Sequence, residues 1–69
     1  MTRKQMKKLA KEIYDCECIH EDESSSREDK SRAENRIMQI SNQVMALKDG
    51  INIMLEIDTI VQDLISKEK

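Results

Sequence analysis

Apolar residues recur along this chain at spacings of three and four, the period of a helix that buries one side. Met6, Leu9, Ala10, Ile13, Cys16 and His20 form the first such stripe. Thr2 is placed to cap that helix, and the acids from Glu21 to Glu23 are unfavourable at a helix C-terminus, so helix one is expected over about 3–21. A polar run over 21–26 is the clear linker, and Ser25 followed by Glu28 has the spacing of a capping box. Ala33, Ile37, Ile40, Val44 and Leu47 then step by four, three, four and three, a heptad seam with Ser41 and Met45 on its flank. This predicts a helix over about 26–48, long enough to span roughly 33 Å at 1.5 Å per residue.

Gly50 is expected to close helix two in the left-handed conformation, with Lys48 suited to the negative end of the dipole. Asp49 or Asn52 is positioned to cap a third helix, over about 52–67. Ile53, Met54, Ile57, Ile60, Val61, Leu64 and Ile65 give it a broad stripe, and Ile51 and Leu55 add apolar surface outside that stripe. A helix this apolar expects burial on two sides. The fold class is therefore all-α, with a short, a long and a medium helix in a hairpin or small bundle. Homo-oligomerisation is expected to complete it, through Ile37, Ile40, Val44, Leu47, Met54, Ile57, Val61 and Leu64.

Composition supports helices and a single domain. The chain has 69 residues, no Pro, one Gly and one Tyr, with 38% charged residues. Strands favour β-branched and aromatic side chains, and turns favour Gly and Pro. A domain of this size buries only about 60% of its unfolded surface, which also favours assembly. No apolar run is long enough to span a bilayer and none follows the basic start as a secretory signal requires, so a cytoplasmic protein without membrane contact is expected.

The net charge of −2 gives no general attraction to nucleic acid, but its distribution is uneven. Arg3, Lys4, Lys7, Lys8 and Lys11 crowd the first helix, and acids dominate from Asp15 to Glu23. Arg3, Lys7, Lys11 and Tyr14 share one stripe, with Lys8 beside it. Cations on one surface beside an aromatic ring suit a phosphate-bearing ligand with a base to stack, so these five residues are the candidate ligand site. A solvated helix face is the simpler explanation of the same charges. Cys16, Cys18 and His20 are of metal-ligating types, but Cys18 points away from the face that Cys16 and His20 share, and no metal or other cofactor is expected. The two cysteines cannot bridge each other on a helix. The acidic-serine link from Glu21 to Asp29 lacks the glycine and spacing of a calcium loop. Nothing in the chain has the pattern of a catalytic triad or a phosphate loop, so no catalytic residue is assigned.

The opening Met1–Glu17, the central Arg32-Ala33-Glu34-Asn35-Arg36-Ile37-Met38 and the tail Met54-Leu55-Glu56-Ile57-Asp58 resemble small helical proteins encoded by phages and prophages of Gram-positive bacteria. That resemblance implies action by binding rather than catalysis: contact with a host protein, plausibly a defence factor, or sequestration of a cyclic nucleotide between subunits. A nucleic-acid-binding regulator is a further, weaker reading, opposed by the negative net charge. The expected partners are thus a second copy of the chain and a host protein, with a cyclic nucleotide as the alternative.

Overall fold

A computed structural model describes residues 1–68 and shows three helices, α1 (Arg3–Glu21), α2 (Arg27–Met45) and α3 (Gly50–Glu68), with no strand among those residues. Each helix is 19 residues long. The expected order of short, long and medium is therefore corrected to three equal lengths.

The first helix starts where its residues can satisfy the free N–H groups of the opening turn. Thr2 Oγ1 accepts from the Gln5 N–H at 3.2 Å, and Gln5 Oε1 accepts from the Thr2 N–H at 2.9 Å, a complete capping box. At the other end, the Asp22 N–H donates to the carbonyls of Cys18 and Ile19. Asp22 then holds the link together: its Oδ1 accepts from the Ser24 N–H at 2.9 Å and from Ser24 Oγ at 2.8 Å. The Ser25 N–H donates to the Asp22 carbonyl. Ser25 is thereby drawn into this turn, and Ser26 caps α2 instead, accepting from the Asp29 N–H at 3.1 Å. The capping box expected at Ser25 and Glu28 is one residue out of register. Glu28 and Asp29 still place negative charge in the first turn, where the dipole favours it.

α2 ends at Met45, earlier than its hydrophobic seam predicts, and Leu47 lies outside it. The tight link 46–49 is held by bonds from the Leu47 N–H to the Val44 carbonyl and from the Gly50 N–H to the Leu47 carbonyl. No described residue has a positive φ, so Gly50 is not a left-handed cap. It opens α3 instead. A Cβ at Gly50 would meet the Val44 carbonyl oxygen and come within 2.7 Å of Met45 Cα, so glycine is required here by close approach of backbone to backbone.

The core lies where the three stripes converge. Met6, Ala10 and Ile13 of α1 meet Ile40 and Val44 of α2 and Ile57 and Val61 of α3. Ile40 and Ile57 are fully enclosed. Leu9, Ile37, Ile53, Met54, Ile60 and Ile65 pack around this centre, partly buried. α1 is packed closely against both other helices, whereas α2 and α3 touch each other less. An ion pair bridges two elements: Arg36 Nε donates to Glu12 Oε1 at 2.6 Å, tying α2 to α1.

Candidate partner-binding surfaces

Four of the residues expected between subunits, Ile40, Val44, Ile57 and Val61, are instead buried in the single chain's own core. An interface cannot use them unless the bundle opens. Ile37 and Met54 pack on the rim of that core, Leu64 is half-buried, and Leu47 is exposed in the link. α1 and α2 together cover the main stripe of α3, while Ile51 and Leu55 outside that stripe stay exposed.

What remains uncovered is a different row. Met38 and Met45 on α2 and Ile51 and Leu55 on α3 are 50–65% exposed. Glu34, Met38, Ser41 and Met45 step by four, three and four, so they share one face of α2. Ile51, Leu55, Asp58, Gln62 and Ile65 step by four, three, four and three along α3. The two rows face the same side of the bundle: Glu34 and Met38 join Gln62 and Ile65 around one hollow of about 520 Å³. Ile37 adds to its apolar lining, and Glu17, His20 and Glu21 from the end of α1 close it. At the other end of the rows, Met45, Leu47 and Ile51 lie around a second depression above the α2–α3 link. The sequence carried a signal for this face, because Met45 and the pair Ile51 and Leu55 stand apart from the core stripes of their helices.

The cations of the expected ligand site lie on the surface of α1. Arg3, Lys4, Lys7, Lys8 and Lys11 are all exposed, and Tyr14 is half-buried. They do not converge on one cradle. Lys7, Lys8 and Lys11 share an open hollow with Glu12 and Asp15. Arg3 lies apart, in a small recess with Glu56 and Thr59 of α3. Carboxylates thus sit among the cations in both places and weaken the potential that a phosphate would feel.

Cys16 is half-buried and Cys18 exposed, and both are free thiols. Burial pushes the Cys16 thiol above its ordinary value, Glu12 and Asp15 add to that shift, and Arg36 opposes it. A thiol held protonated is a poor nucleophile and a poor ligand. Among the described residues, no group of three or more His, Cys, Asp or Glu side chains is placed to hold a metal ion. In the acidic link, Asp22 is held below the usual carboxylate range by its bonds from Ser24, and Glu28 pairs loosely with Arg32 at 3.5 Å. No described helix is long and apolar enough to cross a membrane.

Comparison with known proteins gives no match to a family model, to a curated protein or to a solved structure.

Proposed function

We propose that this chain is a small, non-enzymatic interaction protein of phage type, which binds a host protein, plausibly a defence factor, and modulates it. The observation that carries this reading is the exposed apolar row across α2 and α3. A chain of 69 residues has limited apolar material, and here Met38, Met45, Ile51 and Leu55 are left facing solvent while the core is already complete. Grouped apolar exposure of this kind marks contact surfaces. Methionines favour that use, since their flexible thioethers adapt to varied partners. The resemblance to small phage proteins supplies the cellular setting.

The test is affinity capture from a bacterial host lysate with two baits, the native chain and a Met38→Asp/Leu55→Asp variant. The native bait retains one protein in stoichiometric amount and the variant loses it. An empty native capture, or one that the variant leaves unchanged, contradicts the reading.

A cyclic-nucleotide sponge built on Arg3, Lys7, Lys8, Lys11 and Tyr14 is the second reading, supported by the exposure of its four cations on α1. Interspersed acids make it the weaker one. Binding to the native state at 100-fold over Kd stabilises by about 2.7 kcal/mol, so a thermal-shift series with cyclic di- and trinucleotides decides it.

A further inference from the structure

The α2–α3 face carries hollows of different chemistry at its two ends, and that polarity defines its occupant. We propose that it receives an amphipathic helix of a partner protein, with apolar anchors along one face and Lys or Arg clustered at the end that lies beside the C-terminal turns of α1. The inference rests on the interaction reading above and specifies the chemistry of the partner.

Shape comes first. α2 and α3 are the pair in least contact, and a hollow lies at each end of their exposed row, a surface on which a further helix can lay an apolar face. The row from Glu34 to Met45 covers eleven residue steps, or about 17 Å at 1.5 Å per residue, which is three turns of an incoming helix. Charge comes second. At the α1 end the hollow is lined by Glu17, Glu21 and Glu34, with neither Lys nor Arg among its lining residues. Asp58 stands on the same row of α3. The nearest base along this face of α2, Lys30, stands four residues before Glu34 and is not among the residues that line the hollow. The opposite end offers Met45, Leu47, Ile51 and Leu55, with Lys48 and Asp49 of opposite sign beside them and so no net charge. A partner is therefore asked for apolar side chains at one end and cations at the other.

The same charges argue against a second copy of the chain. A two-fold interface brings the same patch of both copies together, and the two rows would carry Glu34 and Asp58 into it with no Lys or Arg of their own to pair with them. Nor can α1 of another copy enter, because its cationic half carries Met6, Leu9 and Ala10 only on the side turned into its own core.

Two peptides of about fifteen residues, long enough for four helical turns, provide the test. Both carry Leu at spacings of three and four; one has three Lys clustered at one end and the other has Glu in those positions. Titration against the fluorescently labelled native chain is predicted to show the Lys peptide binding at least tenfold more tightly. The variant Glu17→Lys/Glu21→Lys/Glu34→Lys is predicted to invert that preference, and Leu55→Asp to weaken both peptides. Because the peptide pair is compared on the native chain, the charge test stands even if the triple variant misfolds. Equal affinities, or no binding of the Lys peptide, overturn the proposal. So does a dimer in sedimentation that Leu55→Asp dissociates, which would give the face to a second copy. If charge preference is absent while lysate capture still depends on Leu55, only the partner chemistry fails and the interaction reading survives.

Discussion

The seam between α1 and α2 and the seam between α2 and α3 are built from similar residues and finished differently. In the first, Met6, Ala10 and Ile13 close on Ile40, and the Glu12–Arg36 pair fastens the edge. In the second, Val44 and Val61 are buried at the floor, but the walls above them end in Met38, Met45, Ile51 and Leu55, open to solvent. Ala10 explains much of the difference. A small residue at the centre of α1 lets both neighbours approach it closely, so α1 becomes the shared wall of the core. α2 and α3 are held mainly by that common partner. Equal helix lengths thus produce unequal seams, and the unequal seam is the one with surface to spare.

Substitutions at the two kinds of apolar position break this comparison most strongly. Ile40→Ala or Ile57→Ala removes a fully enclosed side chain and is expected to cost about 2–5 kcal/mol, enough to unfold much of a domain this small. Leu55→Ala, equally apolar in sequence, is expected to stay within about 0.5 kcal/mol of the native chain. Urea denaturation followed by circular dichroism measures both. If Leu55→Ala proved as costly as Ile57→Ala, the open seam would be a closed one.

Gly50→Ala tests the link that sets the open seam. Its methyl group would press on Val44 and Met45 backbone atoms that belong to the end of α2. A loss of about 1–3 kcal/mol is expected, typical of overpacking against atoms that cannot move away. A stabilised variant, as an ordinary glycine inside a helix would give, would remove the reason for a glycine at this position.

A smaller effect is expected at the fastened edge. Glu12→Gln and Arg36→Gln should each lower the melting temperature slightly, and the double variant should lose less than their sum, because both remove one interaction. Additive losses would show that the pair does not couple α1 to α2. Smallest of all is the acid response of the first link. Asp22 is held below its ordinary value, so its contribution is present above its unfolded value near 3.8 and is lost as pH falls through the lower folded value. Asp22→Asn keeps an acceptor for Ser24 but cannot titrate, so thermal melts of this variant should lose less stability below pH 4 than the native chain does.

Much of the fold was legible because each helix carries a stripe of its own. Thr2 as a cap and the core positions Ala10, Ile13, Ile40, Val44, Ile57 and Val61 all follow from spacing. Helix ends were less legible where two local solutions compete. Ser25 and Ser26 both suit a cap, and the Asp22 turn decides between them by engaging Ser25. Leu47 continues the heptad spacing of α2, yet the bonds that tighten 46–49 end the helix before it. A glycine after a helix suggests a left-handed cap, and only the positions of Val44 and Met45 show that Gly50 answers to crowding. The candidate surface was harder still. A stripe says that a residue will be covered, but not whether the cover comes from the same chain, and here the chain itself supplies it for Ile40, Val44, Ile57 and Val61. The open row became visible by subtraction, once Ile40, Val44, Ile57 and Val61 were accounted for inside.

The methionines report on both regions at once. Met6 lies in the closed core, Met38 and Met45 line the open row, and Met1 borders the far side of α1 beside Arg36 and Leu47. Methyl labelling of methionine and a two-dimensional carbon–proton spectrum, recorded while the Lys-clustered peptide is added, follow each of them separately. Met38 and Met45 are predicted to shift in proportion to occupancy while Met1 and Met6 stay in place. Movement of Met1 with Met38 and Met45 unchanged would contradict the account, and would move the binding surface from the α2–α3 face to the side of the bundle where α1 meets α2.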